Sequence, residues 1–296
     1  MRIVVTGRQG QVVQSLIARG PAAGHVVVPL GRPELDLADP GGCADLLAGL
    51  APDVVVSAAA YTAVDRAESE PELAHAVNAA GPAALARAAA GLGVPLVHLS
   101  TDYVFAGDKP GPYVESDPVN PLGVYGASKL AGEEAVLAHH GSNSAILRTA
   151  WVFSPFGANF VKTMLRLAGD RDELGVVADQ LGNPTSAFDI ADGILRVAAN
   201  LATDADPALR GVFHMTASGE TTWAGFAEAI FAASARVGGP TARVRPIATA
   251  DYPTPARRPA NSRLDCGRLD QCHGVRLPDW RGATDQVVAE LLRAAG

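Results

Sequence analysis

Short apolar runs alternate with alanine-rich segments of helical periodicity along the first half of the chain. The apolar runs are rich in β-branched and other apolar residues, which is typical of strands buried on both faces of a sheet. This alternation predicts an α/β fold with a doubly wound parallel sheet and right-handed crossovers. The predicted strands are Ile3–Thr6, Val26–Leu30, Val54–Ala58, Pro95–Ser100 and Ala145–Thr149, and the predicted helices are Gln11–Arg19, Cys43–Leu50, Glu72–Leu92 and Tyr125–His139.

The pattern changes after about residue 150. Helices are predicted at Asn159–Leu167, Ala187–Asn200, Thr222–Ala235 and Thr284–Ala294, and strands at Val176–Ala178 and Gly211–Met215. The prolines Pro246, Pro253, Pro255 and Pro259 favour ordered loop over regular structure around the stretch Tyr252–Arg263. We expect residues 151–296 to form mainly a smaller C-terminal lobe that binds substrate, with part of the chain returning to the sheet.

Composition and charge exclude several classes of protein. The net charge is −7 with no basic block, which argues against a nucleic-acid partner. Apolar runs stay well short of the roughly 18 residues that a membrane span needs, and the start MRIVVTG does not have the pattern of a signal peptide. A cytoplasmic location without a membrane partner is therefore expected. The cysteines Cys43, Cys266 and Cys272 lack metal-site spacing and are predicted to be reduced thiols.

A glycine turn, Thr6–Val13, follows the first strand directly and opens the first helix. Gly7 allows the tight turn, Gly10 lets the backbone approach a pyrophosphate, and the helix N-terminus favours the anion. Val13 stands where the usual fingerprint has a third glycine, so the helix is expected to lie slightly further from the strand. An ordinary strand-to-helix turn would look the same, but in this context residues 1–150 are predicted to form a Rossmann-like dinucleotide-binding domain.

The end of the second strand bears on the choice of dinucleotide. Arg32 stands where an acidic residue would bind the ribose hydroxyls of NADH, and an arginine can meet the 2′-phosphate of NADPH. NADPH is therefore expected to serve at least as well as NADH, although a solvated surface arginine explains Arg32 nearly as well. Asp36 and Leu37, a few residues further on, are expected to lie beside the adenine.

Tyr125 and Lys129 lie one turn apart on the same face of a predicted helix. A free tyrosine has a pKa of about 10, and a neighbouring ammonium lowers it. Tyr125 could then give its proton to a carbonyl oxygen while a hydride reaches the carbon, and Lys129 could also hold the nicotinamide ribose. Thr101, directly after the fourth strand, supplies a hydroxyl for the same oxygen.

A YxxxK pattern alone is more typical of an amphipathic surface. Here it follows a glycine turn and a Ser-Thr-Asp triplet, Ser100–Asp102, that comes directly after a strand. This order puts each polar group at the carboxyl end of a strand, where ligands bind in such sheets. Together the three elements predict an NAD(P)H-dependent reductase.

Six segments carry a resemblance to the extended short-chain dehydrogenase/reductase superfamily and, within it, to the dTDP-4-dehydrorhamnose reductases. They span nearly the whole chain, and their joint occurrence is far more specific than either motif above. The segments are SAAAYTAVDRAESEP (57–71), HLSTDYVFAG (98–107), VYGASKLAGE (124–133), LRTAWVFSPFGANFVKTMLRLA (147–168), VVADQLGNPTS (176–186) and YPTPARRPANSRLD (252–265).

The resemblance implies reduction of the 4-keto group of dTDP-4-dehydro-L-rhamnose to dTDP-L-rhamnose, with NADPH or NADH as cofactor. It implies a catalytic group of Thr101, Tyr125 and Lys129, and dinucleotide contacts from Gly10, Gln11, Val12, Asp36, Leu37, Ala59, Ala60 and Tyr61. It implies substrate contacts from Thr101, Asp102, Trp151, Arg257, Arg258 and Asn261. Two alternatives stay open: core packing for Trp151, and pairing of the arginines with nearby acids.

Some relatives form a dimer bridged by magnesium through glutamates, one of them early in the first helix. The first helix here starts Gln11–Ser15 without an acid, so no metal is predicted and a homodimer stays open. Ser57 also departs from the asparagine that relatives often have at that position.

Three rival functions follow from the same residues. Dehydration is disfavoured because Tyr103, after Thr101 and Asp102, cannot replace the glutamate that dehydratases use as an acid–base group. A sugar-nucleotide 4-epimerase, or a reductase that gives another 6-deoxysugar isomer, would use the same tyrosine and lysine. A non-enzymatic subunit, like the regulatory partner of methionine adenosyltransferase, is disfavoured by the intact catalytic set.

Overall fold

A computed structural model describes residues 1–295 and shows an α/β fold. The strands are β1 Arg2–Thr6, β2 Val26–Leu30, β3 Val54–Ser57, β4 Leu96–Thr101, β5 Ser144–Thr149, β6 Val152–Phe153, β7 Glu173–Val177, β8 Leu181–Gly182, β9 Thr185–Ser186, β10 Gly211–His214, β11 Ala217–Ser218, β12 Thr221–Thr222, β13 Arg243–Ile247 and β14 Leu277–Asp279. The helices are α1 Gln11–Arg19, α2 Cys43–Leu50, α3 Val64–Ala67, α4 Pro71–His75, α5 Gly81–Leu92, α6 Val124–His140, α7 Phe160–Ala168, α8 Ala187–Thr203, α9 Trp223–Arg236, α10 Gly267–His273 and α11 Trp280–Ala295.

The central sheet has six parallel strands in the order β2-β1-β3-β4-β5-β10. Successive strand residues point to opposite faces, so Val4 and Val55 pack with α2 and α5, while Val5 and Val56 pack with α1 and α8. The prediction of a doubly wound parallel sheet is confirmed. The chain winds one way from β1 to β2 and the other way from β3 onward, so a crevice opens at the carboxyl ends of β1 and β3.

A second apolar cluster lies outside the sheet. It combines one face each of α7, α9 and α11 with β7, around the buried side chains of Phe153, Phe226 and Trp280. The strand β10 belongs to the central sheet although it lies between these elements in sequence. The division into a dinucleotide-binding part and a substrate-binding part stays a prediction. No helix among residues 1–295 combines the length and the hydropathy that a membrane crossing requires.

Several elements differ from the predicted ones. The predicted helix Glu72–Leu92 is broken into α4, a π-helical turn at Ala76–Ala80, and α5. The strand β7 begins at Glu173 and ends at Val177, where only Val176–Ala178 was predicted. Its partner β13 contains Pro246, whose proline argued for loop. Proline is tolerated there because β7 is the only strand that β13 pairs with in the described chain, and an edge strand leaves one row of N–H groups free.

Candidate active site

Thr101 ends β4 and Tyr125 is the second residue of α6, and the fold brings the two side chains together. The Thr101 hydroxyl donates a hydrogen bond to Asp102 Oδ1 at 2.9 Å and accepts one from the Tyr103 N–H at 3.2 Å. Burial raises the pKa of Tyr125 to about 12, and a hydrogen bond with the Thr101 hydroxyl counteracts part of the rise. The phenol is therefore held in its protonated form at neutral pH.

Lys129 lies one turn after Tyr125 on α6, with only 3% of its surface exposed. Its ammonium donates a hydrogen bond to the Leu99 carbonyl oxygen at 2.6 Å, and its Nζ lies 3.4 Å from His98 Nε2. Burial lowers the pKa of Lys129 to about 8, while the Glu133 carboxylate raises it. The expectation that the ammonium makes the Tyr125 phenol more acidic is wrong for this geometry, because the amine is directed at the backbone of β4 and burial dominates.

Asp102 is buried beside the two catalytic candidates, and burial raises the pKa of its carboxyl to about 6. Its Oδ2 atom has no hydrogen-bond partner among residues 1–295. Tyr103, the residue that stands in place of a dehydratase glutamate, packs edge-on against Tyr125 with ring centroids 5.5 Å apart. At the position of the dehydratase glutamate, an aromatic ring thus packs against the phenol.

A buried ion pair beneath the site escaped the sequence analysis. Arg148 of β5 donates to Glu133 of α6 through Nη2 at 2.6 Å and through Nε at 2.9 Å, and the Ser100 hydroxyl donates to the same carboxylate at 2.5 Å. The pair ties α6 to both β4 and β5, and so it fixes the helix that carries Tyr125. The available signal was Arg148 itself, a charged residue inside an otherwise apolar predicted strand.

The glycine turn and the end of β2 border a cleft of about 550 Å³, a size typical of small-molecule sites. Gly7 adopts φ +99°, where a side chain would be strained, so the turn depends on glycine. Seven of the predicted cofactor residues line this cleft, namely Gly7, Arg32, Asp36, Leu37, Ala59, Ala60 and Tyr61. The shape and lining fit the adenosine half of a dinucleotide, with the N-terminus of α1 beside it for the pyrophosphate.

Asn78, which the sequence analysis missed, fixes one wall of this cleft. It lies in the π-helical turn, accepts a hydrogen bond from the Tyr61 N–H at 2.8 Å and donates to the Tyr61 carbonyl oxygen at 3.0 Å. Its amide also donates to the Ser128 hydroxyl of α6 at 3.0 Å. Asn78 therefore joins the loop at Ala59 to the helix that bears Tyr125 and Lys129. The sequence signal for it was a single asparagine in an alanine-rich helical segment.

Trp151 follows β5 in a left-handed backbone conformation with φ +47°. Its indole stacks on that of Trp223, with ring centroids 3.6 Å apart and an interplanar angle of 10°. A Cβ atom at Gly182 would overlap the Trp151 ring, so the glycine makes room for it. Packing against Trp223 and Gly182, the alternative role for Trp151, explains much of the position of this side chain. Its contact with the sugar nucleotide stays a prediction.

The C-terminal loop residues predicted to hold the nucleotide differ in their surroundings. Arg257 is exposed, whereas Arg258 pairs with Asp65 at 2.8 Å, as the alternative reading of the arginines allowed. Asn261 is buried and donates both amide hydrogens to backbone carbonyl oxygens, those of Lys109 at 2.7 Å and Gly111 at 2.8 Å. These contacts explain Asn261 without a ligand, so its contact with a nucleotide stays a prediction.

Known proteins match this chain over nearly its full length. A family model described as the RmlD substrate binding domain matches residues 1–293. The chain belongs to the RmlD family. A relative of this family from Sinorhizobium fredii, named dTDP-4-dehydrorhamnose reductase, is 52% identical over 99% of this chain and 98% of its own length. The resemblance found in the sequence is confirmed.

Solved structures of RmlD-family proteins superpose over the full chain. A dTDP-4-dehydrorhamnose reductase from Clostridium acetobutylicum aligns with a TM-score of 0.90 at 37% identity, covering 99% of this chain and 100% of that one. The reductase from Bacillus anthracis, solved in complex with NADP, has a TM-score of 0.90 at 33% identity and covers 98% of this chain and 99% of its own. The fold of these enzymes thus extends over the central sheet and the second apolar cluster.

Proposed function

We propose that this protein reduces the C4 ketone of dTDP-4-dehydro-L-rhamnose to the alcohol of dTDP-L-rhamnose, with NADPH or NADH as the reductant. The observation that carries the proposal is the Tyr125 phenol beside the Thr101 hydroxyl. The same chain has a nucleotide-sized cleft at its glycine turn and reductase relatives that match it over nearly its full length. When bound, the dinucleotide supplies the hydride. Every other part of the reaction falls to the protein's own side chains.

Tyr125 donates a hydrogen bond to the ketone oxygen and gives that oxygen its proton. Thr101 donates to the same oxygen once its single hydroxyl proton turns from Asp102 Oδ1 to the ketone. The phenol needs no special acidity for this step. Its pKa is about 12, whereas an alkoxide is about as basic as hydroxide, whose conjugate acid has a pKa of about 15.7. Proton transfer from Tyr125 to the developing alkoxide is therefore downhill. The high pKa also keeps the phenol protonated before reaction, which is the form that reduction requires.

Lys129 holds the nicotinamide ribose hydroxyls and keeps a positive charge beneath the reacting groups. The ammonium is held in place by its hydrogen bond to the Leu99 carbonyl oxygen and by its contact with His98 Nε2, which leaves one further N–H donor for a ligand. The Glu133 carboxylate supports the charged form of Lys129 against the cost of burial. The tyrosine and the lysine thus have separate tasks, proton donation and orientation.

The cofactor residues divide by the part of the dinucleotide that they would hold. The backbone at Gly10, Gln11 and Val12 faces the pyrophosphate at the N-terminus of α1, and Asp36 and Leu37 lie beside the adenine. Arg32 would meet the 2′-phosphate of NADPH, and the loop Ala59–Tyr61 lines the same cleft as Asp36 and Leu37. The donor set consists of backbone N–H groups and one free guanidinium at the cleft, which suits phosphate groups.

The sugar nucleotide is held between the sheet edge and the C-terminal lobe. Asp102 and Trp151 lie at the sugar, and Arg257, Arg258 and Asn261 serve the dTDP part. The sequence also predicts that the protein acts in the cytoplasm, and it is compatible with a homodimer.

Replacing Tyr125 tests the proposal directly. We expect Tyr125→Phe to lower kcat by about two to four orders of magnitude, the usual contribution of a general acid. The assay is loss of NADPH absorbance with dTDP-4-dehydro-L-rhamnose, together with identification of the product by NMR. Tyr103→Phe is the matched control, because it removes a hydroxyl from the ring packed against Tyr125 and should change kcat by only a few-fold. Near wild-type kcat in Tyr125→Phe would exclude the role assigned to Tyr125.

A further inference from the structure

The side chain of Gln11 bridges the glycine turn and the segment that follows Trp151. Its amide N–H donates to the Val152 carbonyl oxygen at 3.2 Å. Its carbonyl oxygen accepts hydrogen bonds from the Ser154 hydroxyl at 2.8 Å and from the Asn159 amide at 3.0 Å. These partners are 141 to 148 residues away in sequence, so this one side chain ties two distant parts of the chain together.

Both ends of this bridge lie at a predicted ligand site. Gln11 is the first residue of α1, so its backbone N–H is one of the free donors that face an anion at a helix N-terminus. At the other end, Val152 is the neighbour of Trp151, and Asn159 caps the N-terminus of α7 by accepting from the Lys162 N–H. The same residue therefore belongs to the pyrophosphate turn through its backbone and to the substrate lobe through its side chain.

The contacts also leave little freedom at the substrate end. Ser154 is fully buried and bonds both to Gln11 and to the backbone of Phe156, which closes a compact turn. Gln11 directs both its donor and its acceptor into this turn, so any shift of the helix start must move or break these bonds. A shared rigid element whose position both ligands depend on is the physical basis of coupling between two sites.

We propose that Gln11 is a positioning residue that couples dinucleotide binding at the glycine turn to sugar-nucleotide binding beside Trp151. When the pyrophosphate fixes the N-terminus of α1, the hydrogen bonds of Gln11 fix Val152 and Ser154, and the indole of Trp151 is set for the sugar nucleotide. The inference rests on the proposed function, and it adds that the two ligands bind with positive cooperativity through this side chain.

Isothermal titration with unreactive ligands measures this coupling without turnover. The dissociation constant of dTDP is measured with and without saturating NADP⁺, and the ratio of the two constants is the coupling factor. In the wild type we expect NADP⁺ to tighten dTDP binding by at least about fivefold, the lower end of ordinary coupling between sites. In Gln11→Met, which keeps the length of the side chain but not its hydrogen bonds, the factor should fall below about twofold.

Two further variants separate coupling from general damage. Gln14→Met makes the same substitution one turn along α1, where the amide donates only to the Arg8 carbonyl oxygen within the glycine turn at 2.5 Å. We expect it to weaken NADP⁺ binding at most, with a wild-type coupling factor. Ser154→Ala removes one of the three bonds from the opposite end and should give an intermediate factor. Thermal unfolding and NADP⁺ affinity alone report whether each variant is folded.

A wild-type coupling factor near one, or a factor unchanged in folded Gln11→Met, would overturn the inference. If Gln11→Met does not fold, the coupling factor of Ser154→Ala is the test. A wild-type factor in that variant would overturn the role of the Gln11 hydrogen bonds. A parallel turnover assay keeps this result apart from the proposed function. Wild-type reduction of the ketosugar without coupling would remove only the role of Gln11, whereas no reduction and no dTDP binding would remove the proposed function as well.

Discussion

At the scale of single residues, one physical cause sets the ionisation of the whole site. Burial raises the pKa of Tyr125 to about 12 and that of Asp102 to about 6, and it lowers the pKa of Lys129 to about 8. Each shift favours the neutral form, as removal from water always does. Of the three groups, Lys129 is therefore the one that titrates just above neutral pH.

The pH dependence of the reaction should report the ionisation of Lys129. The charged form of Lys129 is the one that holds the ribose, and its fraction falls as the pH rises through about 8. We expect kcat/KM for ketone reduction to fall about tenfold per pH unit above that point, with no rise due to ionisation of Tyr125. In Lys129→Arg, activity is lower but the alkaline fall disappears, because a guanidinium stays charged. An unchanged alkaline limb in that variant would assign the limb to another group.

The residue types of the site could be predicted from the sequence, but the directions of their pKa shifts could not. The YxxxK pattern and the Thr101-Asp102 pair point to reductase chemistry because their order along the chain puts them at strand ends. Whether the Lys129 ammonium meets the phenol or the backbone of β4 depends on tertiary packing over a few ångströms. The YxxxK spacing predicted an ammonium that acts on the phenol, whereas in the structure the ammonium donates to the Leu99 carbonyl oxygen of β4.

At the scale of elements, the helix α6 is the part that organises the site. It carries Tyr125 and Lys129 on one face, and its glycines allow unusually close packing on that side. A Cβ atom at Gly126 would overlap the Tyr103 carbonyl oxygen, and one at Gly132 would overlap the Asn78 carbonyl oxygen. The helix thus lies directly against the backbone of Tyr103 and against the π-helical turn at Ala76–Ala80.

Two glycine substitutions test this close approach. Gly132→Ala should lower the free energy of unfolding by about 2 kcal/mol or more, because overpacking against backbone forces α6 or the π turn to shift. Gly91→Ala in α5 is the matched control, since it meets no atom within 4 Å and should raise stability by about 0.5–1 kcal/mol through helix propensity. Urea unfolding measures both. Equal effects of the two substitutions would contradict the close packing of α6 on Asn78.

Regular elements follow from periodicity, and interruptions of them do not. The five strands predicted in the first half all form, because short runs of β-branched apolar residues favour buried strands. The π turn at Ala76–Ala80 inserts an extra residue into a helix without changing its composition, so an alanine-rich pattern cannot reveal it. The strand β13 was not predicted because it contains Pro246, and proline is typical of loops. An edge strand such as β13 tolerates proline.

At the scale of the whole molecule, the contacts between residues far apart in sequence are the least predictable. Gln11 reaches Asn159 across 148 residues, and Arg258 reaches Asp65 across 193. Neither pair lies within a single element, so no local pattern records it. The family resemblance predicted the substrate site as a set of segments, whereas the hydrogen bonds that join one of those segments to the glycine turn are visible only in three dimensions.

The measurement that tests the account most directly follows the hydride itself. The wild-type protein is given dTDP-4-dehydro-L-rhamnose and NADPH that carries deuterium at both C4 positions of the nicotinamide, and the product is examined by NMR. We predict one deuterium at C4 of dTDP-L-rhamnose and one NADP⁺ formed for each product molecule. A product without deuterium at C4, or one formed with no net loss of NADPH, as an epimerase would give, would contradict the account.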